Sequence, residues 1–196
     1  ISSKKKVIST LTQTGSAYGD SSEDLILIER FLAGEADAFD RLYQRYYARV
    51  FHIAQGILLR HEEAADVTQE IFTLVYRNLP RFDQRSKFST WLFRVAVNRA
   101  IQQARSIRHI RTETDLSDAE HAPAADHTEQ WDDPTVQSVM AQLAPDDRAI
   151  LTLFYWEDLT LVEIAESLGC RSNAAKTRLF RARERFKKLY EAAENA

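Results

Sequence analysis

"LTLVEIAESLGCRSNAAKTRLFRARERF", Leu159 to Phe186, decides how the chain is read. Thr160-Leu-Val-Glu163 is a capping box: Thr accepts from the third backbone N–H and Glu reaches back to the cap. It opens a short helix that ends at Gly169. Ser172 or Asn173 then caps a long basic helix running to about Tyr190. A short helix, a tight turn containing Gly and a longer basic helix form the helix-turn-helix pattern. Ala165 and Gly169 are small where the two helices approach, and Ile164 and Leu168 face inward with Ala175 and Leu179. Lys176, Thr177, Phe180 and Arg181 are left on the outer face, with Arg171, Arg178 and Arg183 at its margins. Such a face suits a major groove, where Arg and Lys read guanine or hold phosphates and Thr reaches base or backbone. The bland alternative is a solvated basic face on an ordinary bundle helix.

Outward from this stretch, charge is segregated. The 196-residue chain has a formal charge of −3. Residues 81–111 carry eight basic side chains and one acid, and residues 171–188 again carry eight and one. Between them, residues 112–134 hold eight acids and no Lys or Arg. Two basic blocks set in acidic sequence are the footprint of a polyanion partner. The single cysteine, Cys170, excludes an internal disulfide and fits a reducing compartment. No apolar run approaches the roughly 18 residues of a membrane span, so no membrane insertion is expected.

The hydrophobic period predicts an all-α chain. Ser21 and Ser22 precede a short helix ending at Gly34. Phe39, Leu42, Tyr43, Tyr46, Val50, Ile53 and Ile57 recur every three or four positions along a long second helix. A third spans Glu62–Leu79, with Val67, Ile71, Leu74 and Val75 as its stripe and Pro80 as its stop. A loop then leads into a fourth helix beginning at Phe88. Residues 1–20 are expected to be a disordered extension, 21–111 one helical domain, 112–134 a flexible acidic linker, and 135–196 a second helical domain. Asp133-Pro134 starts the first helix of that second domain and Pro145 the next.

The middle basic block differs in kind from the helix-turn-helix. "FSTWLFRVAVNRA" (88–100) mixes aromatic rings with Arg94, Asn98 and Arg99. Rings stack on unpaired bases, Arg holds backbone and an amide reads a base edge; equally, Trp91, Phe93 and Val97 are simply core. "HEEAA" at His61 lacks the second His of a zinc protease, and no phosphate loop, nucleophile–base pair or cofactor motif is evident, so an enzyme is the least favoured class. His121, Asp126 and His127 offer metal-ligand chemistry but sit in the acidic linker.

From Ser22 to Tyr190 the chain resembles bacterial RNA polymerase sigma factors of the extracytoplasmic-function (ECF) class, in the sigma-70 family. "DAFDRLYQRYYARVF", "HEEAADVTQEIFTLVYRNLPRF" and "FSTWLFRVAVNRA" are similar to sigma region 2, and "LAPDDRAILTLFYWEDLTLVEIAESLGCRSNAAKTRLFRARERF" to region 4. The resemblance implies a promoter-specificity subunit that binds core polymerase through the β′ clamp helices and β flap. It implies Asp66, Gln69 and Glu70, continued by Thr73 and Arg77, for the clamp. For the opened strand of the −10 element it implies Arg81, Arg85, Lys87, Phe88, Ser89, Thr90, Trp91, Arg94, Asn98 and Arg99. For the −35 duplex it implies Arg171, Ser172, Asn173, Lys176, Thr177, Arg178, Phe180 and Arg181. An anti-sigma factor is a further implied partner, and the cytoplasm the implied location. Trp91 is followed by Leu92 where primary sigma factors have a second Trp, which implies weaker melting and a stricter promoter. Ala174-Ala175 replaces a Thr-Val common in the family, leaving Ser172 or Asn173 to make the phosphate contact.

Two other functions stay open on sequence. One is an autonomous helix-turn-helix regulator, which needs neither the middle basic block nor the Asp66 face. The other is a sigma-like decoy for an anti-sigma factor, which need not keep a basic reading helix.

Overall fold

The computed structural model describes residues 21–114 and 133–195, with side chains of 109–114 excluded. The described residues form eight α-helices and no strand, as the periodicity predicts. They are α1 (Ser21–Leu32), α2 (Ala36–Leu58), α3 (His61–Asn78), α4 (Phe88–Thr114), α5 (Pro134–Gln142), α6 (Pro145–Tyr155), α7 (Leu161–Ser167) and α8 (Ser172–Glu194), with a 3₁₀ turn at Leu79–Arg81. The expected disordered extension, the bulk of the acidic linker and its histidines lie outside the described residues.

Local chemistry sets most boundaries. Gly34, at φ 99°, turns the chain after α1 in a backbone conformation that L side chains rarely adopt. The Asp133 carboxylate accepts from the Thr135 N–H at 2.8 Å, and Pro134 occupies the first turn of α5. Pro80 closes α3 through the 3₁₀ turn. Three expectations are corrected. The fourth helix continues past Arg111 to Thr114, through three residues assigned to the linker, because nothing in "RTET" breaks it. Neither Ser172 nor Asn173 caps α8: Arg171 is the N-cap, without a side-chain cap, and the helix runs to Glu194. Leu74 is not part of the buried stripe of α3; Thr68 and Phe72 are buried there with Val67, Ile71 and Val75.

The first four helices pack around α2, and α1 is pinned to it by a buried polar knot. Asp24, 2 % exposed, accepts from the Tyr46 hydroxyl at 2.6 Å and from Arg45 at 3.1 Å. In the second group, α8 lies against α5, α6 and α7. Arg148 on α6 is buried there and donates to the Leu143 carbonyl at 3.1 Å; burial pulls its pKa down to about 10.

The two groups also pack on each other, with α6 against α2 and α7 against α4. The end of α2 shows it: every residue from Ile53 to Leu59 is buried. A helix buried on all sides has neighbours on all sides. Gly56 makes the approach close enough, since a Cβ there would lie 2.4 Å from Thr152 Oγ1 and 2.7 Å from its Cγ2.

Candidate nucleic-acid and polymerase interfaces

The capping box at the start of α7 is formed as expected. The Thr160 N–H donates to the Glu163 carboxylate at 3.1 Å, and the Glu163 N–H donates back to Thr160 Oγ1 at 3.3 Å. Gly169, at φ 61°, then reverses the chain, and the Cys170 N–H closes the turn on the Ala165 carbonyl at 2.8 Å. Cys170 itself is half-buried. This turn sets α8 with Ala175, Leu179 and Ala182 inward. Arg171, Ser172, Asn173, Lys176, Thr177, Arg178, Phe180 and Arg181 are all exposed. Phe180 is 64 % exposed, a bare ring on a basic helix, fit to touch a thymine methyl. The Thr177 hydroxyl donates to the Asn173 carbonyl at 3.0 Å. Two basic side chains of the block turn back into the fold. Arg183 stacks over Phe154 at 4.5 Å, and Arg185 pairs with Asp147 at 2.7 Å.

The middle basic segment divides more unevenly. Arg81, Arg85, Lys87, Arg94 and Asn98 are exposed, and Ser89 and Trp91 half-buried. Phe88 and Thr90 are buried at 3 % and 4 %, so they shape this surface from beneath. Phe82, Phe88 and Trp91 form a ring cluster with centroids 5.4 to 5.9 Å apart, which holds the half-buried Trp91 in place.

On α3, Asp66, Gln69, Glu70, Thr73 and Arg77 all face solvent along one side. The Thr73 hydroxyl returns to the Gln69 carbonyl at 3.0 Å. Arg99 of α4 donates through Nε to Glu70 at 2.7 Å, joining a residue that the resemblance implies for the −10 strand to one that it implies for the clamp.

Polar contacts that sequence reading missed join the two halves. Arg49 of α2 donates through Nε to the Glu157 carboxylate at 2.7 Å and through Nη2 to its carbonyl at 3.3 Å. Its guanidinium lies 4.6 Å from the Phe93 ring centre. Burial, outweighing the nearby Arg49, pushes Glu157 up to about 7. Lys87 pairs with Glu163 at 3.0 Å, and Arg105 with Asp146 at 2.8 Å. Burial would raise the Glu163 pKa, but hydrogen bonds from Lys87 and Thr160 outweigh it and hold the carboxyl below its usual range. The one signal for these contacts was "HIAQGILL" (52–59), too evenly apolar for a helix with a solvent face.

Sigma-70 region 2 matches residues 42–110, and Sigma-70, region 4 matches 135–186. The RNA polymerase sigma-H factor of Pseudomonas aeruginosa is 33% identical over 175 residues, spanning 83% of this chain and 91% of that protein. The ECF RNA polymerase sigma-E factor of Haemophilus influenzae is 32% identical over 177 residues, 82% and 92% of the two chains. The chain belongs to the ECF class of the sigma-70 family. Among solved structures, CnrH in complex with the cytosolic domain of CnrY superposes with a TM-score of 0.66 at 25% identity, covering 87% of this chain and 98% of that one. RpoE in complex with the anti-sigma factor NepR from Bartonella quintana shares the fold, with a TM-score of 0.63 at 21% identity over 78% and 96%. The family is one of sigma factors, which are transcription factors. Among the described residues no helix is long and apolar enough to cross a membrane.

Proposed function

We propose that this ECF sigma factor works in the cytoplasm by binding core polymerase through the exposed side of α3 and reading two promoter elements. The α8 face takes the −35 duplex and the 81–99 surface takes opened −10 strand. One observation carries the reading: a single chain presents both an outward basic face on a capped helix-turn-helix and a separate exposed acid–amide face at Asp66, Gln69 and Glu70. A duplex-binding regulator working alone has no use for the second. An anti-sigma factor is a natural further partner, since the solved relatives CnrH and RpoE are each described with a bound protein of that kind or a cytosolic domain. The domain limits 21–111 and 135–196 fit this division, with the helix ends noted above.

The test is reconstitution. Mixed with bacterial core polymerase, the chain is expected to start transcription at a promoter with two spaced elements and to bind that duplex poorly alone. Asp66→Arg is expected to cut core affinity without unfolding the chain. It is a cleaner probe than Glu70, whose reversal would also set two cations face to face at Arg99. Tight, sequence-specific duplex binding without polymerase would instead establish the autonomous regulator.

A further inference from the structure

Arg148 is a buried cation with no acidic partner among the described residues. It sits in the first turn of α6 and is 8 % exposed. Among the described residues only one of its N–H groups has an acceptor: Nη1 donates to the Leu143 carbonyl at 3.1 Å. That carbonyl lies at the end of α5, where a helix leaves a partial negative charge, so the bond places the side chain. It does not satisfy it. A guanidinium carries five N–H donors. The buried Nε–H has no hydrogen-bond partner among the described residues. Nε and Nη2 together form the edge that meets an oxyanion side-on, through two parallel bonds. On Arg148 that edge has no protein acceptor among the described residues.

The neighbouring acids are engaged elsewhere. Asp146 holds Arg105 of α4 with both carboxylate oxygens, at 3.0 and 2.8 Å, and Asp147 pairs with Arg185 of α8 at 2.7 Å. The Arg105–Asp146 pair sets α4 beside the start of α6 and so brings a second cation close. Arg108 lies one turn beyond Arg105 on the same side of α4, is exposed, and repels the Arg148 charge. Burial first, and then this repulsion, pull the Arg148 pKa down, where a counter-ion would raise it. A buried guanidinium that faces a like charge and has no acid of its own is the arrangement a bound anion completes.

We propose that Arg148 and Arg108 form a binding site for a phosphate dianion between α4 and α6, with the Nε–Nη2 edge of Arg148 on one side of the ligand and Arg108 on the other. Two cations match two negative charges. Free phosphate and phosphate monoesters are close to doubly charged above pH 7, whereas a carboxylate and the phosphodiesters of a nucleic-acid backbone carry one charge each. The site therefore prefers a free or terminal phosphate. It differs in this from the α8 face, whose exposed cations are spread along a helix and suit a backbone. A ligand that binds only the folded chain stabilises it in proportion to its occupancy, and this one also screens the two guanidinium groups from each other.

Thermal unfolding of the full chain tests it, at constant ionic strength with sodium chloride making up the balance. Inorganic phosphate is expected to raise the melting temperature saturably, by about 3–6 °C at ten times its dissociation constant. Arg148→Met exchanges the buried charge for an apolar chain, and Arg108→Gln neutralises an exposed one. Each is expected to abolish the shift or to weaken phosphate at least about tenfold. Lys176→Gln, on the α8 face, is expected to keep the parent response. Should Arg148→Met fail to fold, Arg108→Gln carries the test. An oligonucleotide with a 5′-phosphate, compared with the same sequence lacking it, separates the two sources. A shift with inorganic phosphate alone assigns a small free anion; a larger shift with the phosphorylated strand than with its twin assigns a nucleic-acid terminus. Either supports the site. No shift with phosphate, an equal shift with acetate, or a shift unaltered in Arg108→Gln overturns the proposal. A shift lost in Lys176→Gln places the phosphate on α8 and overturns it as well.

Discussion

Gly56→Ala sets two energies of opposite sign against each other. Alanine in a helix interior is favoured over glycine by about 1 kcal/mol, so the substitution strengthens α2 on its own. The new methyl, however, would lie 2.4 Å from Thr152 Oγ1, 2.7 Å from Cγ2 and 3.2 Å from Cβ. Thr152 is fully buried and its hydroxyl has no hydrogen-bond partner among the described residues, so it has no spare room and no bond to trade. Rotating its side chain turns only one of Oγ1 and Cγ2 away, since a β-branched residue carries heavy atoms on two of its three Cβ positions, and it leaves Cβ where it is. Overpacking of this kind costs about 1–3 kcal/mol. The docking of α6 on α2 is therefore expected to weaken by that amount while the helix itself gains about 1 kcal/mol. Hydrogen exchange reads the two effects apart: the amides of α6 lose protection while those in the middle of α2 do not. Thr152→Ala removes the two nearest atoms and leaves only the Cβ–Cβ approach of 3.2 Å, which a shift of a few tenths of an ångström relieves. The double variant is expected to recover docking, with a coupling energy of about 1–3 kcal/mol in the cycle. If Gly56→Ala melts higher with protection unchanged in α6, the contact is not what joins the halves and the reasoning fails.

Other outcomes follow from the same geometry. Thr160→Ala breaks the capping box and is expected to cost about 1 kcal/mol, measured by chemical denaturation, with α7 losing exchange protection first. Glu157, pushed up to about 7 when packed, binds its proton more tightly folded than unfolded. Its contribution is full below its ordinary value of 4.5 and is lost as pH rises through about 7, so stability between pH 5 and 7 is expected to fall more steeply in the parent than in Glu157→Gln. His52, lowered by burial, acts in the opposite sense around its ordinary 6.5, and comparison with Glu157→Gln cancels it. Parallel slopes would refute the assignment. Arg181→Ala is expected to cost about 1–3 kcal/mol at the −35 element if the side chain reads a base; an equal loss on every sequence makes it a phosphate contact.

Where sequence reading worked, the cause was local. The Asp133-Pro134 start and the Thr160–Glu163 capping box need only four consecutive residues, and both are formed. The outward face of α8 was legible because Ala175, Leu179 and Ala182 recur at helical spacing. The start of α8 was not: Ser172 and Asn173 are both good caps, and the chain turns one residue earlier, at Arg171. The segment 88–100 stayed ambiguous because rings serve a core and a base stack equally well. Burial decides it one residue at a time, inward for Phe88 and half outward for Trp91. The union of the halves left one trace, the apolar run at the end of α2, and its partners were not legible. Arg49 and Glu157 are 108 positions apart, and nothing local to either says that the other will meet it.

Arg99 has one guanidinium and two claimants. On its own chain it is engaged by Glu70, on the side of α3 proposed for polymerase. A DNA strand crossing α4 at the proposed −10 surface would offer it a phosphate instead. If the strand wins, Glu70 is released with its charge unbalanced and free to seek a cation on the clamp. Linkage then requires that holding polymerase at Glu70 raise the affinity for strand at Arg99 by the same factor. The two binding partners would be felt by each other through a single side chain, so that promoter opening becomes easier in the one setting where it is useful.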